Sequence, residues 1–100
     1  MVDRDPVIAC GLDHQGESVV AWDTDSGEPA GPMIVWQDQR GADVLARLTP
    51  HEHEEVARLS GLPPAAYFSA ASFGWLLTDG GLADRPGLRL GTLDAFLSDR

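Results

Sequence analysis

Apolar positions along the chain follow two periods that change over near Asp38. Before it, hydrophobic residues come in short runs: Val7 to Leu12 is almost continuously apolar, Ser18 to Asp23 carries Val19, Val20, Ala21 and Trp22, and Met33 to Gln37 carries Ile34, Val35 and Trp36. Runs of this length without helical spacing read as strands, and a near-continuous one reads as a strand buried on both faces. Thr24-Asp25-Ser26-Gly27-Glu28-Pro29 concentrates turn formers, so the chain reverses there. A short mixed sheet of about three neighbouring strands (7–12, 18–23 and 33–37) is expected.

Beyond Asp38 the spacing becomes helical. Val44, Leu45 and Leu48 share one face of a helix predicted over 41–48. Thr49-Pro50-His51-Glu52 starts a second, over 50–59: Thr49 can accept from a free amide, Pro50 suits the first helical position, and Glu52 can reach back to close a capping box. Gly61 and Pro63-Pro64 stop it. Ser69 is expected to cap a helix over 70–78, with Phe73, Leu76 and Leu77 at i, i+3, i+4 spacing, and Gly80-Gly81 follows it. After a loop through Asp84-Arg85-Pro86-Gly87, Thr92 offers a cap for a last helix over 93–100 bearing Leu93, Phe96 and Leu97. The pattern is α/β, with no internal repeat and no second domain.

Composition narrows the partners. A hydrophobic content of 43% with 11 Gly and 7 Pro is that of a globular chain. Seven basic residues, all Arg, stand against 16 Asp plus Glu, for a formal charge of −9; such a chain repels polyanions, so no nucleic acid partner is expected. Glu52, Glu54 and Glu55 read as a solvated helix face. Cys10, alone inside the first apolar run, is expected to pack as a small buried hydrophobe. No stretch approaches a membrane span, and Met1-Val2-Asp3-Arg4-Asp5 does not resemble a secretion leader, so a cytoplasmic setting without a membrane partner is expected.

The chemistry gathers where the first run ends. Asp13-His14-Gln15-Gly16-Glu17-Ser18 puts an amide and a carboxylate at the mouth of the expected sheet, where open sheet folds take ligands and where hydroxyl groups can be held. Two other patterns carry no function. Asp13-x-x-Gly16-x-Ser18 lacks the tandem small residues of a phosphate cradle. His51-x-His53 puts two side chains about 200° apart on a helix, which suits exposed histidines better than metal ligands, and no metal site is expected.

Gln15-x-Glu17, Trp22-Asp23, Ile34-Val35-Trp36-Gln37-Asp38, Arg40, Ala42-Asp43-Val44, Ser60-Gly61-Leu62-Pro63, Tyr67-Phe68-Ser69, Trp75-Leu76-Leu77 and Gly91-Thr92-Leu93-Asp94 stand in a fixed order. That order resembles the amino-terminal domain of the FGGY carbohydrate kinases, in glycerol kinase-like form, over nearly the whole chain. The resemblance implies an actin-like, ribonuclease H-like fold, with residues 1–100 forming one partial domain, an internal segment of a longer two-domain enzyme. It implies that the intact enzyme uses ATP and Mg2+ to phosphorylate a small sugar or polyol. The catalytic base and ATP site are expected elsewhere, so this chain alone is expected to be inactive, with no catalytic residue and no cofactor of its own.

By the same resemblance, Glu17, Trp36 and Tyr67 bind substrate: the acid accepts from hydroxyls, the indole covers a C–H face and the phenol donates. Gln15 and Asp38 are further candidates, with a helix cap as the competing role for Asp38. Two positions depart from the family pattern. Gly16 stands where the glycerol kinase-like pattern has Arg, and Ser72 stands where Lys is common. The first removes a donor fork and opens space for a bulkier sugar. Both leave room for an alternative, a non-catalytic module of kinase fold that binds a ligand or assembles. Strand edges left unpaired in a partial sheet imply self-association.

Overall fold

The computed structural model describes residues 5–100. Its elements in order are β1 (Val19–Asp23), α1 (Ala42–Ala46), α2 (Pro50–Ser60), α3 (Ser69–Leu77), β2 (Leu88–Thr92) and α4 (Leu93–Ser98). β1 and β2 form a two-stranded antiparallel sheet, with Val19 opposite Thr92 and Asp23 opposite Leu88. The other edge of β1 is taken by the returning chain, through the single bridges Val19 to Ile34 and Trp22 to Pro29.

β1 is buried on both faces, as its unbroken apolar sequence demands. On one face Val19 and Ala21 join Ile34, Leu76 and Leu82 in the core, with Phe73 and Trp75 of α3 packed against them. On the other, Trp22 meets the edge of Phe96 in α4 with ring centroids 5.4 Å apart, and its Nε1 donates to Asp99 Oδ2 at 2.8 Å. Gly91 permits this second layer, because a Cβ there would lie 2.9 Å from the Ala95 Cβ and 3.0 Å from the Trp22 ring.

The helices begin and end close to expectation, with departures at α1, α3 and α4. At α2, Thr49 and Glu52 make the reciprocal capping box, and Gly61 closes the helix at a left-handed φ of 74°. α1 is shorter than expected, because Arg47 and Leu48 continue it only through i to i+3 bonds. Ser69 does not cap α3 but is its first residue, with Phe68 as the N-cap making no side-chain cap bond. Thr92 is the N-cap of α4, yet its hydroxyl bonds the Asp94 carboxylate rather than a helix amide.

The strands depart further. Residues 7–12 form no strand: Val7 and Ile8 are 87% and 94% exposed, and Cys10 is exposed rather than buried. An apolar run states a demand for burial but does not name a partner, and both edges of β1 are already occupied. The 33–37 run pairs only at Ile34, since the chain turns immediately after it, with Asp38 N donating to Val35 O at 2.9 Å. β2 lies where a loop leading into the last helix was expected. Leu88-Arg89-Leu90 alternates over too few residues to announce a strand, and pairing with β1 decides it.

Candidate functional site

The turn before β1 is closed twice on itself. Ser18 N donates to Gln15 O at 3.0 Å, and Ser18 Oγ donates to Gln15 Oε1 at 2.8 Å. The buried Ser18 hydroxyl also accepts from Trp36 N at 3.2 Å, which ties this turn to the one after Ile34. Glu17 projects from the turn toward α3, where its Oε2 accepts from Ser69 N at 2.7 Å. A free amide at the start of a helix thus receives a carboxylate from 52 residues away, which is why α3 needs no local cap.

Tyr67 lies two residues before that amide. Its ring meets Trp36 edge-on with centroids 5.8 Å apart and Phe68 edge-on at 5.1 Å. Trp36 and Tyr67 keep 39% and 47% of their surfaces exposed. Trp36 sits in a turn rather than in a strand, so its ring is not sealed into the core. The structure therefore packs Trp36 against Tyr67 near the amino end of β1 and ties Glu17 to the neighbouring backbone of the same region, through Ser18 on one side and Ser69 on the other.

Gln15 and Asp38 border this cluster with part of their polar capacity already used. Gln15 lines a separate open hollow of about 400 Å³ together with Leu12, His14, Met33, Leu93 and Leu97. Asp38 Oδ1 accepts from Arg40 N at 2.9 Å and from Arg40 Nε at 3.0 Å, and those bonds hold its carboxyl below the usual carboxylate range. The N-cap of α1 is Gly41, so Asp38 organises the approach to the helix instead of capping it. Arg40 in turn lies over the Trp75 ring at 4.7 Å, which anchors the turn to α3.

A second, apolar hollow of about 330 Å³ opens beside Glu17, between α1, α2 and the start of α3, lined by Val44, Leu48, Val56, Leu62 and Phe68 among others. His53 is only half exposed, and its Nε2 lies 2.8 Å from Leu45 O, tying α2 to the end of α1. Sequence reasoning missed Ser18, the Ser69 amide and the Arg40 to Trp75 stack. A hydroxyl directly after Gln-x-Glu was the only local signal for the first; the other two exist only in the folded chain.

The profile of the FGGY family of carbohydrate kinases, N-terminal domain, matches residues 1–82. The chain belongs to the FGGY family of carbohydrate kinases. It is 41% identical over 96 residues to glycerol kinase 1 of Pseudomonas aeruginosa, covering 91% of this chain and 19% of that protein. It is 34% identical over 100 residues to a glycerol kinase of Saccharolobus islandicus, covering 96% of this chain and 20% of that one. The crystal structure of Plasmodium falciparum glycerol kinase with ADP superposes on 83% of this chain and 17% of its own, with a TM-score of 0.67 and 25% identity. This FGGY chain thus spans about a fifth of the length of the curated relatives it matches.

Proposed function

We propose that this chain forms the substrate-side wall of an ATP-dependent FGGY kinase that phosphorylates a hydroxyl of a sugar or polyol. The observation that carries the reading is the Trp36–Tyr67 pair at one end of β1, with Glu17 held two residues beyond Tyr67 by the Ser69 amide. One Glu17 oxygen is oriented by that amide and the other is left to accept from a substrate hydroxyl. The half-exposed indole offers a flat face to C–H groups, and the Tyr67 phenol a donor. Gln15 and Asp38 flank this surface and hold its turns, Gln15 keeping its amide NH2 for a further hydroxyl.

Gly16 sets the substrate class. A Cβ at Gly16 would meet nothing within 4 Å, so the space beside Glu17 is open where the family pattern places a donor fork. A sugar or a polyol longer than glycerol fits this reading best.

Nucleotide and Mg2+ belong, in this reading, to other parts of the FGGY enzyme. Among the described residues no group of three or more His, Cys, Asp or Glu is placed to hold a metal ion. Arg40, Arg47, Arg58, Arg85 and Arg89 each face a carboxylate, and Arg100 donates to Gly27 O. These residues do not suit a triphosphate, and no step of the transfer is assigned to them.

The test is to replace the matching segment of the Pseudomonas aeruginosa enzyme with this chain and assay the chimera with ATP against glycerol, erythritol, xylulose, ribulose and gluconate. Turnover of at least one is expected, with a longer substrate preferred over glycerol. A soluble chimera that turns over none of them favours the second reading, a non-catalytic module of kinase fold. Gly16 and Ser72, the latter buried in α3 where Lys is common in the family, are the features that speak for that reading.

A further inference from the structure

The buried hydroxyl of Ser18 serves two candidate site residues at once. Ser18 is 0% exposed and stands at the joint between the Gln15 turn and β1. Its Oγ lies 2.8 Å from Gln15 Oε1 and 3.2 Å from Trp36 N, the second of these 18 residues away in the chain. The Trp36 contact stands in for a rung of backbone pairing. Val19 and Ile34 exchange both backbone bonds, Val19 N to Ile34 O at 2.9 Å and Ile34 N to Val19 O at 3.0 Å. A regular antiparallel ladder would repeat that exchange two residues on, between Glu17 and Trp36. Trp36 N donates instead to the hydroxyl, so the chain turns at this point without leaving that amide unpaired.

The count of hydrogens fixes the Gln15 amide. A hydroxyl has one hydrogen to give and two lone pairs with which to receive. The Trp36 amide only donates, so it takes a lone pair, and the hydroxyl hydrogen goes to Gln15 Oε1. Among the described residues Ser18 Oγ donates to no other acceptor. Turned round, the Gln15 amide would bring its own hydrogens against Oγ and strand the buried hydroxyl hydrogen, a costly arrangement. With its oxygen held by Ser18, the exposed Gln15 side chain offers its NH2. Glu17 then supplies an acceptor and Gln15 a donor, a pair that suits hydroxyl groups, which both give and receive.

We infer that Ser18 is a positioning residue of the substrate site: its hydroxyl fixes which end of the Gln15 amide is offered to substrate and where the backbone that carries the Trp36 indole sits. Its bearing on catalysis rests on the proposed substrate roles of Gln15 and Trp36. The clasp itself is a property of the unliganded chain.

The test compares Ser18→Ala, which removes the hydroxyl, with Ser18→Thr, which keeps it, in the 100-residue chain. The ratio of hydrogen-exchange rates at the Trp36 and Ile34 amides should rise about 2-fold to 10-fold in Ser18→Ala, the worth of one hydrogen bond, because Ile34 keeps its partner Val19 and reports any general loosening. In nitrogen–proton spectra the Gln15 NH2 resonances should move toward those of a free glutamine in Ser18→Ala and hold their wild-type positions in Ser18→Thr. An unchanged ratio, Gln15 resonances that do not respond to Ser18→Ala, or a folded Ser18→Thr that behaves like Ser18→Ala overturns the inference. The wild type gives a reading that needs no variant: the Gln15 side-chain nitrogen should relax like the rigid backbone, and a freely reorienting one overturns the inference. In the chimeric kinase, Ser18→Ala should raise KM for the accepted sugar or polyol by about 2-fold to 10-fold at unchanged kcat, with Ser18→Thr near wild type. An unmoved KM beside the expected spectra would overturn the substrate roles of Gln15 and Trp36 and leave the clasp standing.

Discussion

A single carboxylate, Glu17, has one role that the structure shows, at the start of α3, and one that is proposed, toward substrate. Its place in a Gln-x-Glu turn after an apolar run is legible because the motif is local, and hydroxyl binding is the role proposed for it. Its bond to Ser69 N crosses 52 residues and is not legible in the same way. The same contrast separates Thr49 from Cys10. The Thr49 capping box depends on four consecutive residues and was read correctly, whereas burial of Cys10 required a neighbouring strand that its own sequence cannot supply. Thr49→Ala should therefore lower stability by about 1 kcal/mol, measured as a shift of the urea midpoint with unchanged slope. Gly16→Arg is expected to leave the fold intact, since its Cβ meets open space, and to shift the chimera's preference toward glycerol. Unchanged ratios of kcat/KM among the substrates would remove Gly16 from the specificity argument.

Among the elements, the helices were more legible than the strands, for a physical reason. A helix closes its hydrogen bonds within one segment, so caps and spacing between Thr49 and Gly61 suffice to place α2. A strand depends on whichever edge it finds. The 33–37 run found β1 at Ile34 alone, while the alternating Leu88-Arg89-Leu90 found it over five residues and became β2. Ile34, fully buried between β1 and α3, is thus the main anchor of the returning chain, and Ile34→Ala should cost about 2–5 kcal/mol in chemical denaturation. Loss of well under that range would mean the returning chain is held mainly by Ser18 and Trp36.

The whole molecule is elongated: its radius of gyration is 17.0 Å, against about 13 Å for a compact chain of this length. The exposed apolar residues Val7, Ile8 and Leu12 need a cover, and self-association through strand pairing is the proposal that follows. Sedimentation should show dimers or larger species growing with concentration, with Ile8→Lys restoring the monomer; a monomer at every concentration contradicts this. No helix among the described residues is long and apolar enough to cross a membrane. Acid should weaken the fold. Asp23 is held below its ordinary 3.8 by the Ser26 and Asp25 amides, Asp38 by Arg40, and Glu52 below its ordinary 4.5 by the Thr49 amide. Because these groups bind protons less readily when folded, their stabilisation is fully present above those ordinary values and is lost as pH falls through the lower folded ones. Denaturation midpoints should hold steady down to about pH 5 and decline below about pH 4. The central claim, that Glu17 meets substrate beside Trp36 and Tyr67, is tested most directly by Glu17→Gln in the chimeric kinase. The amide keeps an oxygen to accept from Ser69 N, but removes the charge and replaces the substrate-facing oxygen with an NH2 donor. A drop in kcat/KM of roughly 10-fold to 100-fold with unchanged thermal stability is predicted, and an unchanged kcat/KM for every accepted substrate would contradict the account.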